Sequence, residues 1–153
     1  MTSVNGYMLD TNVFDVIHDS GLEAHCQRSK WKFFITQVQI SEITNIPNEV
    51  RRGALLGLMG RLAPTKLLLR SGVWIDELHW DDDQPWIDDV TSDCMHFVGD
   101  AVSPPWRDAM IGDVTKHHCL VLVSNDGRLL RKAISAGLET METKDFVAAI
   151  QAR

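Results

Sequence analysis

Cysteine is scarce in this chain: Cys26, Cys94 and Cys119 form an odd, scattered set among 153 residues. That excludes a disulfide framework. Long apolar runs are missing as well, so no segment is long enough to span a bilayer. The start, Met1-Thr2-Ser3-Val4-Asn5-Gly6, has neither the basic nor the apolar region of a signal peptide. The expectation is a cytoplasmic protein with no membrane association. Glycine is absent from Asp10-Thr11-Asn12, the turn after the first apolar run, which argues against a dinucleotide-binding loop that must admit a pyrophosphate. Internal repeats and low-complexity tails are lacking too. Basic residues are missing from one long stretch: between Ser71 and Trp106 there is no lysine or arginine, but there are nine acids. The overall charge of −6 therefore hides an acidic segment set into a mildly basic body.

What is present is ordinary for a globular domain: 44% hydrophobic and 24% charged residues, at a length that suits a single domain over residues 1–153 with a real core. Gly6–Leu9 reads as a short strand. Thr11 and Asn12 offer caps to a helix with Val13, Phe14 and Ile17 on one face. Trp31–Ile35 fits a strand or a buried entry to the next helix, and Thr36 is a good cap for a helix carrying Glu42. Pro47 ends that helix or the turn after it. Asn48 opens a longer helix to about Leu69, with a break near Ala63-Pro64. Its Leu55, Leu56, Leu58, Met59 and Leu62 suit a packed face, and Gly53, Gly57 and Gly60 are read as core packing in preference to a dimer seam. Val73-Trp74-Ile75 looks like a strand, and Ser103-Pro104-Pro105 a turn into a helix over Trp106–His118. Leu120–Val123 is a buried strand, with Cys119 before it as a small buried hydrophobe. Arg128–Ala136 is a helix stopped by Gly137. Leu138–Met141 is a last strand, and Thr143 caps a terminal helix. Strands alternating with helices predict an α/β fold with a parallel sheet.

Four acids stand out by position. Asp10 ends Tyr7-Met8-Leu9, and Asp126 follows Leu122-Val123-Ser124-Asn125. Acids at strand ends are favoured places for chemistry in an open parallel sheet. Glu42 lies within Thr36–Ile46, and Asp108 opens Asp108-Ala109-Met110-Ile111-Gly112. Acids gathered from distant sequence repel one another unless a cation or a proton sits between them. An all-carboxylate set suits a hard divalent cation, Mg²⁺ or Mn²⁺. Each acid alone has a plainer reading: Asp10 as a cap, Glu42 as a solvated helix residue, Asp108 as an acid favouring a helix N-terminus, Asp126 as a turn residue.

Taken together, the residues around these acids resemble the PIN-domain nuclease family. Tyr7–Phe14 looks like that family's opening strand, acid and helix. Thr36–Ile43 is similar to its second motif, Asp108–Gly112 to its third, and Leu122–Asp126 to its fourth, with a helix-turn-strand interval from Asp108 to Asp126 that fits. Met141–Phe146 resembles its closing strand and helix. The match covers residues 6–76 and 105–150. The resemblance implies a three-layer α/β/α sandwich around a parallel sheet of four to five strands, and phosphodiester hydrolysis of RNA that leaves a 5′-phosphate and a 3′-hydroxyl. It implies Asp10, Glu42, Asp108 and Asp126 as the catalytic, metal-binding carboxylates for Mg²⁺ or Mn²⁺. Among relatives of about this size, VapC-type toxins of toxin–antitoxin pairs fit best, which implies an antitoxin partner and a homodimer.

Asn12 and Ser124 match positions where the family often has a small polar residue. They are read as groups orienting the carboxylates, with helix capping an equal alternative for Asn12. Asp113 follows Asp108 by five positions, which on a helix sets the two about 140° apart. It is an outer acid or an exposed one, with the exposed reading favoured. Lys116-His117-His118-Cys119 lacks the spacing of a structural zinc site and reads as a helix end. Substrate contacts are sought among Arg128, Asn125 and Arg52, with Arg51, Arg131 and Lys132 as further cations, since RNA needs positive charge near the acids.

The acidic, tryptophan-rich insertion at about 77–104 has no counterpart in the family. It reads first as an insertion packed on the body, and secondly as a filter on RNA or a dock for a basic antitoxin segment. Competing readings are a stand-alone RNA-processing nuclease, a non-catalytic PIN module binding RNA or protein, and a phosphohydrolase of the haloacid-dehalogenase type. The last normally needs a second acid where Asn12 stands.

Overall fold

The structure, a computed structural model, describes residues 5–68 and 106–152 of the chain, without the side chains of residues 106, 107 and 109. Five strands form one all-parallel sheet: β1 (Tyr7–Leu9), β2 (Phe33–Thr36), β3 (Thr65–Leu67), β4 (Val121–Ser124) and β5 (Glu139–Glu142), in the order β3-β2-β1-β4-β5. Seven helices accompany them among the described residues: α1 (Thr11–Asp19), α2 (Glu23–Arg28), α3 (Gln37–Thr44), α4 (Glu49–Leu62), α5 (Trp106–His117), α6 (Gly127–Ser135) and α7 (Thr143–Gln151). None of these helices is long and apolar enough to cross a membrane.

Alternation along the strands divides the core. Leu9, Phe33, Ile35 and Val123 face one way, against Val13, Phe14 and Ile17 of α1, Leu55 and Leu58 of α4, and Phe146 and Ile150 of α7. Met8 and Leu122 face the other way, against Val38, the α5 residues Ile111 and Val114, and Leu129 and Ala133 of α6. Period-two strands sending successive side chains to opposite faces make the expected α/β/α sandwich.

The chain runs outward from the centre twice. β1, β2 and β3 step to one edge, and β4 and β5 step from β1 to the other. β1 and β4 lie side by side, with Leu9 opposite Val123. Beyond their carboxyl ends lies the switch point of an open α/β sheet, where the connections turn opposite ways and leave a crevice.

Several sequence expectations need correction. The long helix from Asn48 ends at Leu62, and the next residues form the edge strand β3, paired with Phe34–Thr36. Pro64 is the reason. The residue before a proline is driven from the right-handed helical region, and Ala63 takes a left-handed conformation, φ 47. Of the leucines assigned to the packed face of α4, Leu56 is exposed, and Gly53 and Gly60 face outward rather than into the core. Thr143 does not cap α7 with its side chain. The N-cap is Glu142, the last residue of β5, so Thr143 is the first helical residue, and its buried hydroxyl has no hydrogen-bond partner. Val73-Trp74-Ile75, the 77–104 insertion and the Ser103-Pro104-Pro105 turn lie outside the described residues.

Cys119 is exposed, not buried, and β4 begins two residues later. The end of α5 explains this. The Leu120 N–H donates to the Thr115 carbonyl (2.9 Å) and the Cys119 N–H to Lys116 (3.1 Å), a Schellman closure that puts Cys119 at φ 53. The same closure ends α1 at Gly21 and α6 at Gly137, where glycine carries the positive φ without a Cβ penalty. Cys119→Gly is therefore expected to stabilise the fold by about 0.5–1 kcal/mol, raising Tm by roughly 2 °C. A thermal melt showing a lower Tm for this variant would contradict the assignment of strain there.

Candidate active site at the carboxyl edge of the sheet

Asp10 leaves β1 and becomes the N-cap of α1, accepting the Thr11 N–H on Oδ1 at 2.8 Å. Its Oδ2 accepts two more bonds, from the Ser124 hydroxyl at 2.7 Å and from Asn12 Nδ2 at 3.1 Å. A carboxylate has about four lone-pair sites. Two donors engage Oδ2 and one engages Oδ1, so Oδ1 is the oxygen with capacity left for a ligand. Burial pushes the Asp10 carboxyl above the usual aspartate range. Ser124 and Thr11 pull against that, and the charge of Asp126 adds to it.

Ser124, at the end of β4, is fully buried and its hydroxyl is saturated. It donates to Asp10 and accepts from the Asp126 N–H at 3.0 Å and from Asn12 Nδ2 at 3.3 Å. Asn12 spans the crevice. Its amide nitrogen reaches Asp10 and Ser124, and its oxygen accepts the Asn125 N–H at 3.3 Å. Of the two roles open to Asn12 in the sequence, orientation of the carboxylate is the one its contacts serve. Asp126 caps α6, accepting from the N–H groups of Arg128 (2.9 Å) and Leu129 (3.4 Å).

Asp108 lies in the first turn of α5 and is half-buried. Burial raises its pKa first, then the charges of Asp10 and Asp126, while Lys132 and Arg128 lower it. Asp108 thus feels the acids that follow β1 and β4, with two cations of α6 beside it. Glu42 reaches the group by another route, in the last turn of α3: one of its oxygens accepts the Thr11 hydroxyl.

Asp113 is 2% exposed, which overturns the exposed reading. Residues 110–115 of α5 are buried all round, so an offset of about 140° from Asp108 does not bring a side chain to water. The proposed substrate contacts divide. Arg128, Arg131 and Asn125 are exposed and Lys132 half-buried. Arg52 donates to the Ile46 carbonyl at 2.9 Å, and Arg51 is held between Asp15 and Asp19. Both bind their own fold.

Two residues at the site carry more than the sequence reading assigned to them. Thr11, a cap by its sequence position, is the first residue of α1 behind the Asp10 cap, and it joins Asp10 to Glu42. Gln39 is fully buried. It accepts from the Thr36 N–H at 2.9 Å and donates to the Leu9 carbonyl at 3.1 Å, fixing α3 against the end of β1. Its signal was the capping box Thr36-x-x-Gln39.

In donor chemistry the site fits a hard divalent cation: every candidate ligand is a carboxylate oxygen, and the mutual repulsion at Asp10 and Asp108 is what a cation relieves. Among the described residues, no three acids, histidines or cysteines stand close enough together to hold a metal ion as their side chains are placed.

No family model matches the sequence, and no curated protein matches it. Solved structures do. PAE2754 from Pyrobaculum aerophilum superposes with a TM-score of 0.62 at 15% identity, covering 97% of this chain and 90% of that one. A PilT N-terminus domain protein from Sulfolobus solfataricus gives 0.54 at 12% identity, covering 94% and 92%. FitAcB from Neisseria gonorrhoeae gives 0.52 at 12% identity, covering 90% and 98%. At these identities the likeness speaks for the fold: this chain has the PilT N-terminus, or PIN, fold.

Proposed function

We propose that this protein is a Mg²⁺- or Mn²⁺-dependent endoribonuclease, acting as the toxin of a toxin–antitoxin pair. The reading is supported by the charges gathered at the carboxyl edge of the sheet: Asp108 feels Asp10 and Asp126, Asp10 feels Asp126, and Glu42 is tied to Asp10 through Thr11. A divalent cation bound there supplies Lewis-acid stabilisation of phosphate charge and a source of nucleophile at neutral pH.

The protein's own groups do the rest. Asp10, Asp108, Asp126 and Glu42 hold the cation. Ser124 and Asn12 keep the Asp10 carboxylate in one orientation, and Asp113 supports α5 from its buried side. Arg128 and Lys132 on α6 draw the RNA backbone toward the acids, and Asn125 touches it at the rim. Arg52, engaged with Ile46, contributes through the packing of α3 against α4. A homodimer, an antitoxin as the inhibiting partner and action in the cytoplasm belong to the same proposal, by resemblance to the VapC-type toxins.

The test is direct. Purified protein is incubated with total RNA and with synthetic single strands, in Mg²⁺, Mn²⁺ or EDTA. Cleavage is expected with either cation and none in EDTA. Absence of cleavage under every condition, together with absence of Mn²⁺ binding by calorimetry, overturns the reading.

A further inference from the structure

We infer that Thr11 is a positioning residue for Glu42, holding that acid in place for the divalent cation. The inference rests on the nuclease reading above. Thr11 is the first residue of α1, and it touches two carboxylates at once. Its N–H donates to Asp10 Oδ1 at 2.8 Å, and its hydroxyl donates to Oε2 of Glu42, 31 residues further along the chain.

The first contact fixes the second. The N–H of Thr11 is set by the helix start that Asp10 caps, so the hydroxyl sits at a constrained distance from the Asp10 carboxylate. Glu42 is placed differently from the other three acids. The other three follow strand ends, cap helices or lie in a first turn. Glu42 projects from the far end of α3 on a long side chain, which gives up rotamer freedom when it is held in one position. A hydroxyl bond to a carboxylate is charge-assisted and roughly twice as strong as a neutral one, enough to select one rotamer.

The next residue does the same work on the opposite side. Asn12 reaches Ser124 and the Asn125 N–H of the β4–α6 connection, as Thr11 reaches α3. The first turn of α1 is thus a yoke with Asp10 at its centre and one arm toward each half of the sheet.

The test compares Thr11→Val, which keeps the shape and removes the hydroxyl, with Thr11→Ser, which keeps the hydroxyl. Mn²⁺ is titrated into metal-free protein by calorimetry, and folding is checked by thermal melting. Thr11→Val is expected to weaken Mn²⁺ binding about 10- to 100-fold and to lower kcat with KM for RNA little changed, while Thr11→Ser stays within a few-fold of the parent. In a Glu42→Gln background, Thr11→Val is expected to add nothing.

Equal Mn²⁺ affinity in Thr11→Val and the parent overturns the inference, as does a full loss in the Glu42→Gln background. Should Thr11→Val fail to fold, Thr11→Ala is measured against the same outcomes. A parent protein that neither binds Mn²⁺ nor cleaves RNA overturns the nuclease reading and this inference with it. A parent that does both while Thr11→Val matches it overturns this inference alone.

Discussion

Asp108→Asn is expected to abolish RNA cleavage and, in the same molecule, to raise thermal stability at neutral pH. The loss follows from the site. Cation-assisted stabilisation of phosphate charge is worth several kcal/mol, and each 1.36 kcal/mol is tenfold in rate, so under the proposed ligand role the loss of Asp108 is expected to cost on the order of a thousandfold in kcat/KM. The gain follows from electrostatics. Burial and the charges of Asp10 and Asp126 hold the Asp108 carboxyl above the ordinary aspartate range, against partial relief from Lys132 and Arg128. A carboxyl whose folded pKa is raised favours folding while protonated, below the unfolded pKa, and that contribution is lost as pH rises through the folded value. At pH 7, above the unfolded pKa, the raised pKa therefore counts against the metal-free fold, and asparagine removes the penalty. Melts in EDTA are expected to show a Tm gain for the variant at pH 7 that shrinks as pH falls toward the ordinary aspartate pKa. A variant that cleaves like the parent contradicts the ligand role. A Tm that falls at pH 7 contradicts the electrostatic account.

Phe146→Ala is expected to produce the largest loss of stability of any single change considered for this chain. Phe146 is fully buried. Its ring packs edge-on against Trp31, centroids 5.7 Å apart, and against Phe33 at 6.0 Å, and Trp31 in turn stacks on Tyr7 at 4.2 Å. This aromatic group fastens α7 to β1, β2 and the segment before β2. Truncating a buried phenylalanine costs about 3–5 kcal/mol through lost burial and the cavity left behind. At this chain length that is a fall in Tm on the order of 10 °C. Phe146→Leu, which refills much of the space, is expected to recover most of it. Equal melting temperatures for the alanine variant and the parent would show that α7 is not anchored through this ring.

The parts of this protein legible in its sequence are those where one residue type has one structural use. Asp10 and Asp126 are legible because an acid near the end of an apolar strand of a parallel sheet has a mechanical use, and both stand at the sheet's carboxyl edge as helix caps. Thr36 and Gly137 were found as a cap and a stop for the same kind of reason. What escaped was decided by tertiary context. β3 is three residues long in a leucine-rich run with no period of its own, and only its pairing with β2 makes it a strand. Asp113 is buried because residues 110–115 of α5 are enclosed all round, which its spacing from Asp108 does not encode. Cys119 adopts a conformation that glycine usually takes, so residue type pointed away from it. Thr11 was read as a local cap because its second partner lies a whole βα unit away.

The pairing of β1 with β4 also has a consequence in time. Asp10 is held by Ser124, 114 residues further along the chain, and Asp10 and Asp108 both feel the charge of Asp126. At a synthesis rate of about 5–20 residues per second, the start of this chain precedes the second half of its acid cluster by on the order of ten seconds. Throughout that interval β1 lacks one of its two neighbours, and Asp10 lacks the hydroxyl that orients it. A chain still being made therefore carries the acids without the site, and whatever chemistry the cluster performs begins only after the far half of the sheet has joined the near half.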